Sequence, residues 1–181
     1  MHAGPAAHIE LAEKTVVDKI LEEGGVLKTL EISRAVVEEE ARRIYEILAG
    51  QYDANITDFG GETLPIVIVR LTNKTIIYII PLPQGYILTG VKSVEIVESL
   101  LNYIEKIKDA GMKPILIFFS KKGRLTMAGY LYLGSVIENH DVGVLFVNGD
   151  YDEILEILWH LENIGKYEAP EDEVIDLKSL S

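Results

Sequence analysis

The hydrophobic residues of this chain gather in short runs that predict a β-sheet. Two long apolar runs, residues 64–71 and 75–82, are separated by a short polar turn and predict a β-hairpin. Residues 86–88 predict a further short strand at an edge of the sheet. Residues 114–119 and 142–147 are apolar throughout, which is typical of strands that are covered on both faces.

Between and before these runs, apolar residues recur every three or four positions, which predicts amphipathic helices. The helices are expected at residues 9–23, 30–49, 93–110, 126–139 and 151–163. Ser93 is expected to cap the N-terminus of the third helix. The stretch between the second helix and the hairpin, through Asp58 and Gly61, is expected to be irregular.

This order of elements predicts an α/β fold with a mixed sheet. Strands that alternate with helices imply parallel crossovers, and here they are joined to an antiparallel hairpin. The expected organisation is an N-terminal helical extension (residues 1–29), an α/β domain (30–167) and an acidic C-terminal tail (168–181). The tail is either a loose chain end or a docking peptide, and the first interpretation is favoured because chain ends are commonly disordered.

Composition narrows the class of protein. A chain of 181 residues that is 48% hydrophobic has enough apolar surface for one compact core. Cysteine is absent, which excludes disulfides, thiolate metal sites and thiol nucleophiles. No apolar run approaches the length of a membrane span and the first residues do not resemble a signal peptide, so a cytoplasmic protein is expected. Abundant isoleucine and only two glutamines suit a thermophile.

The net charge of −12 is concentrated at the two ends of the chain. Residues 51–149 carry nine acids and nine bases, whereas residues 150–181 carry ten acids and two bases. Such a molecule repels polyanions as a whole, which disfavours dedicated nucleic-acid binding. The one concentrated basic spot is formed by Lys121, Lys122 and Arg124, which either contact a polyanion or a partner or belong to an ordinary solvated loop.

Three segments carry a resemblance to a known family. They are the glycine segment Asp58-Phe59-Gly60-Gly61, the helix entry Thr89-Gly90-Val91-Lys92-Ser93-Val94 and residues 144–155, where a strand turns through Asn148-Gly149-Asp150 into the last helix. With the order of elements from about Arg34 to Leu158, the chain resembles the restriction-endonuclease-like (PD-(D/E)XK) superfamily, and most closely the Mrr-type restriction endonucleases. The resemblance implies a restriction-endonuclease-like mixed β-sheet flanked by helices.

The catalytic motif of that superfamily is missing from the hairpin. The resemblance implies an Asp on the first hairpin strand and a Glu-x-Lys or Gln-x-Lys on the second, because carboxylates hold Mg²⁺ and the lysine assists the chemistry on phosphate. At the matching positions this chain has Pro65 or Ile66, and then Ile79-Ile80-Pro81-Leu82. None of these side chains ligates magnesium. The expectation is therefore a protein that is not an enzyme and uses no cofactor.

The leading hypothesis is an inactive nuclease homologue that acts as an interaction or structural subunit, in a homodimer or with a protein partner, within a DNA-processing assembly and away from membranes. A second hypothesis is a divergent Mg²⁺-dependent nuclease that uses Asp58, Glu62 and Lys74, with Glu39 or Glu40 as an accessory acid. A third is a small-molecule sensor built on a parallel α/β sheet.

Overall fold

A computed structural model describes residues 15–23, 31–58 and 64–168. Its described residues form five helices and seven strands. The helices are α1 (residues 15–23), α2 (Arg34–Leu48), α3 (Gly90–Asp109), α4 (Met127–His140) and α5 (Tyr151–Asn163). The strands are β1 (Asp53–Asp58), β2 (Pro65–Arg70), β3 (Thr75–Pro81), β4 (Ile87–Leu88), β5 (Lys113–Phe119), β6 (Arg124–Leu125) and β7 (Gly143–Val147). The predicted mixed α/β fold class is confirmed.

The main sheet joins an antiparallel half to a parallel half. Its strand order is β1-β2-β3-β5-β7, in which β2 pairs antiparallel with both β1 and β3, while β3, β5 and β7 are parallel. The hairpin turn predicted between β2 and β3 is present, and Lys74 closes it with a positive φ of 64°. The helical connections α3 and α4 are the parallel crossovers that the alternation of strands and helices implied.

The prediction of an irregular stretch before the hairpin was wrong at residues 53–58. These residues form β1, which pairs with β2 over its whole length from Asp53 opposite Arg70 to Asp58 opposite Pro65. Most of β1 is exposed, because it is an edge strand with one neighbour. An edge strand needs no run of apolar residues, which is why the hydrophobic pattern missed it. Residues 59–63, including Gly60 and Gly61, lie outside the described residues.

Three other expectations require correction. The short strand β4 does not extend the main sheet, because it pairs in parallel with β6 in a separate two-stranded sheet. Helix α3 begins at Gly90, and its N-cap is Thr89, whose hydroxyl accepts a hydrogen bond from the backbone N–H of Lys92 at 3.1 Å. Ser93 is buried within the first turn and donates to the carbonyl of Thr89. Similarly, α2 begins at Arg34, after the predicted start at residue 30.

The sheet separates two apolar layers. Helices α3 and α4 cover one face, and α2 and α5 cover the other. Because side chains alternate along a strand, Ile80 belongs to the α3–α4 layer and its neighbour Ile79 to the α2–α5 layer. Among the described residues, no helix has both the length and the apolar character needed to cross a membrane.

The helix of the predicted N-terminal extension is packed on the domain. The Glu23 carboxylate accepts a hydrogen bond from the backbone N–H of Gly90 at 2.6 Å, at the positive end of α3. Glycine is needed at position 90, because an added Cβ would lie 2.8 Å from Cγ1 of Ile20 and 2.9 Å from Cβ of Ala128. Helix α1 therefore lies against the N-terminal ends of α3 and α4. The predicted tail starts at Glu168, and the rest of it, residues 169–181, lies outside the described residues.

Candidate functional site

A groove of about 650 Å³ lies where the hairpin meets the first three turns of α3. We call it the hairpin groove. Its lining consists of Glu31, Ile32, Leu64, Ile66, Ile80, Lys92, Glu95, Ile96 and Ser99. The volume is within the range of about 300–1,000 Å³ that is usual for ligand sites. The groove occupies the position where the resemblance to nucleases implied a metal centre.

The floor of the groove is aliphatic. Ile66 on β2 and Ile80 on β3 both face α3, and they are 3% and 0% exposed. These are two of the positions at which the sequence lacks the nuclease carboxylates. Ile79 points into the opposite apolar layer, and Pro81 and Leu82 are buried. The hairpin side chains at the base of the groove are therefore buried and aliphatic.

The rim of the groove is polar and comes mainly from one face of α3. Lys92, Glu95 and Ser99 are spaced three and four residues apart, so successive helical turns bring their side chains to the same side. Lys92 Nζ lies 2.7 Å from a carboxylate oxygen of Glu95. Glu31 faces them from the segment before α2 and forms no ion pair with any residue in the described ranges. Sequence reasoning had missed Glu31, Lys92 and Glu95.

Tyr86 is buried beside the groove, and the charges of Glu31 and Glu95 affect the pKa of its phenol. Burial, together with the negative charges of Glu95 and Glu31, raises the pKa of Tyr86 to about 12. Its backbone N–H donates to the hydroxyl of Ser120 at 3.1 Å. The neutral phenol is the form that the folded protein favours.

The raised pKa of Tyr86 predicts a loss of stability in alkali. An unfolded tyrosine has a pKa of about 10, so the contribution of Tyr86 is fully present below pH 10 and is lost as the pH rises toward 12. We expect the free energy of unfolding of Tyr86→Phe to fall less steeply between pH 9.5 and 11.5 than that of the wild type. Urea denaturation at several pH values measures this slope. Parallel pH curves for the two proteins would contradict the expectation.

Asp58 and Lys74, two of the residues proposed for a divergent nuclease, are not brought together. Asp58 ends β1 and forms an ion pair with Arg34, whereas Lys74 lies in the turn at the opposite end of the hairpin. The intervening length of β2 separates them by roughly 20 Å. Glu40 accepts a hydrogen bond from the hydroxyl of Tyr151 on α5 at 2.8 Å, on the other side of the sheet from the hairpin groove. Glu62 lies outside the described residues.

The three basic residues of the loop, Lys121, Lys122 and Arg124, have different surroundings. Lys121 pairs with Asp150 at 3.1 Å. The backbone of Lys122 adopts a positive φ of 60°, and its N–H donates to the carbonyl of Asn148. Arg124 is exposed at the start of β6. One of the three charges is therefore compensated by a carboxylate, and the loop presents a weaker positive field than the sequence alone indicated.

The carboxyl ends of the parallel strands, where α/β proteins often bind ligands, are tied together by hydrogen bonds. The fully buried hydroxyl of Ser120 accepts from the Tyr86 N–H and donates to the carbonyl of Pro83 at 2.7 Å. The side-chain amide of Asn148 donates to the carbonyl of Gly123 at 3.2 Å. Because the Ser120 hydroxyl both accepts and donates a hydrogen bond, its role here is to join loops.

No family model matches this chain, and no curated protein or solved structure is significantly similar to it. Within the described ranges, no group of three or more His, Asp or Glu side chains is placed to hold a metal ion. The geometry of the hairpin groove is therefore the main guide to function.

Proposed function

We propose that this protein is a catalytically inactive member of the restriction-endonuclease-like fold that serves as an interaction or structural subunit, within a DNA-processing assembly. The single observation that carries the proposal is the aliphatic floor of the hairpin groove, formed by Ile66 and Ile80. Both are among the hairpin positions at which the resemblance implies catalytic carboxylates. Hydrocarbon side chains supply no oxygen ligand for Mg²⁺.

The element order supports the same proposal. A helix is followed by antiparallel strands, and a crossover helix then leads to a parallel strand on the far side of β3. Apart from the additional strand β1, this is the order that the resemblance implied. Replacing a charged centre by isoleucine turns a site that is costly to desolvate into ordinary packing. A fold altered in this way keeps its surfaces for contact with other proteins.

A divergent Mg²⁺-dependent nuclease is the second candidate, and one observation favours it. Glu31, Glu95 and Lys92 line the same groove, which gives two carboxylates and one ammonium beside the hairpin. Two carboxylates and a lysine are also the side-chain types of the nuclease centre that the resemblance implies. Under the second candidate, the reactive side chains would therefore be Lys92 and Glu95 on α3 and Glu31 before α2, in place of Asp58 and Lys74.

Cleavage assays separate the two candidates. The purified protein is incubated with duplex, single-stranded and branched DNA in the presence of Mg²⁺ or Mn²⁺, and we expect no cleavage of any of them. The Glu31→Ala/Glu95→Ala double variant and Glu156→Ala, an exposed residue on α5, serve as a matched pair. Metal-dependent cleavage that the double variant loses and Glu156→Ala retains would replace the first proposal by the second.

A further inference from the structure

We infer that the hairpin groove binds a short segment of a partner protein in which aliphatic side chains flank a lysine or arginine. This inference rests on the proposed interaction role and names the chemistry of the partner. The aliphatic side chains, with the methylene stem of the basic residue, would pack against Leu64 and Ile32 above the buried isoleucine floor. The cationic head would meet the carboxylates of the rim.

The shape and floor of the groove account for the apolar part of the segment. Ile66, Ile80 and Ile96 are 3%, 0% and 8% exposed and form a continuous apolar base, while Leu64 and Ile32 are partly buried at its sides. Because the base is already buried, the apolar surface that a ligand can cover is that of Leu64 and Ile32, and covering it removes apolar surface from water on both partners, which is the main favourable term in association. A wholly polar ligand would leave these two side chains uncovered.

The charge of the rim accounts for the basic part. Two carboxylates face one ammonium, and that ammonium, Lys92, is already paired with Glu95. Of the two rim carboxylates, Glu31 is the one that forms no ion pair with another described residue. A cation placed between Glu31 and Glu95 would meet a net negative rim, on a molecule whose total charge is −12. The same rim repels a phosphate backbone.

Fluorescence anisotropy with three labelled seven-residue peptides tests the inference. The probe peptide alternates leucine with lysine, the second alternates leucine with glutamate, and the third alternates serine with lysine. We expect the wild-type protein to bind the leucine–lysine peptide at least tenfold more tightly than either of the others, because only this peptide offers both parts.

Variants of the groove locate the binding. Glu31→Gln/Glu95→Gln removes the negative rim, and Ser99→Phe fills the groove from an exposed rim position on α3. We expect each to weaken binding of the leucine–lysine peptide by about tenfold or more. The controls are Glu156→Gln on α5 and Asn139→Phe on α4, both exposed and outside the groove, which should change the Kd less than twofold. Circular dichroism checks that each variant is folded.

Three outcomes would overturn the inference. They are no binding of the leucine–lysine peptide by the wild type, equal binding of the serine–lysine peptide, and equal effects of the groove variants and their controls. The last two would indicate general attraction to an acidic protein. The same preparations are assayed for metal-dependent DNA cleavage, whose appearance would remove the proposed function itself. If groove-specific binding is absent and no cleavage appears, only the inferred partner segment is rejected, and the proposed function stands.

Discussion

The Ile79→Glu variant is expected to lose about 4 kcal/mol or more of its free energy of unfolding at pH 7, because it places a carboxylate in a dry apolar layer. Ile79 on β3 is 0% exposed, and its side chain packs in the apolar layer covered by α2 and α5. The adjacent Ile80→Glu is expected to lose about half as much, since its carboxylate can extend toward the hairpin groove and Lys92. Urea denaturation of both variants measures the difference.

The loss of unfolding free energy caused by Ile79→Glu should increase as the pH rises. Burial raises the pKa of the introduced carboxyl above its unfolded value of about 4.3, so the folded state favours the protonated form. The variant is then closest to the wild type below pH 4, and its penalty grows as the pH rises toward neutrality. Ile79→Gln is the matched control and should show a penalty that does not change with pH. Equal losses for the two glutamate variants would show that the assignment of strand faces is wrong.

The Gly123→Ala variant is expected to lose roughly 3 kcal/mol of its free energy of unfolding through steric conflict in the loop after β5. An added Cβ would lie 2.3 Å from the hydroxyl oxygen of Ser120 and 2.9 Å from the carbonyl oxygen of Tyr86. Ser120 cannot move away without giving up its buried hydrogen bonds to Pro83 and Tyr86. Thermal and urea denaturation measure the loss.

Gly134→Ala provides the opposite case. No heavy atom lies within 4 Å of the Cβ that would be added at Gly134, which is inside α4. Alanine is the better helix former, so this variant should gain about 0.5–1 kcal/mol. A loss at Gly134 as large as the loss at Gly123 would mean that glycine substitution itself, and not the crowding around Ser120, sets the effect.

The elements with strong apolar patterns could be predicted from the sequence. Helix α5 has the predicted bounds, Tyr151–Asn163, because its apolar residues recur at the helical period without interruption. The hairpin and the strands β5 and β7 were predicted within one or two residues, because buried strands require continuous apolar runs. The start of α3 was misplaced, because Thr89 and Ser93 both have hydroxyl side chains and only the backbone conformation decides which of them caps the helix.

The floor of the candidate site could be predicted, and its rim could not. Ile66 and Ile80 were found because the resemblance drew attention to their positions on the hairpin. Glu31 lies far from Lys92 and Glu95 along the chain, and only the packing of the segment before α2 beside α3 brings them to one groove. The sequence contains no local signal for such a contact. Lys92 was also placed in the entry before the predicted helix, so its helical spacing from Glu95 and Ser99 was not recognised.

The charges at the two ends of β1 bear on how copies of this chain can assemble. If the edge strands of two copies joined in antiparallel fashion about Asn55 and Ile56, Asp53 of each would stand opposite Asp58 of the other. Like charges in directly opposed positions destabilise such a pairing. Joining of two copies through β1 in this register is thereby disfavoured.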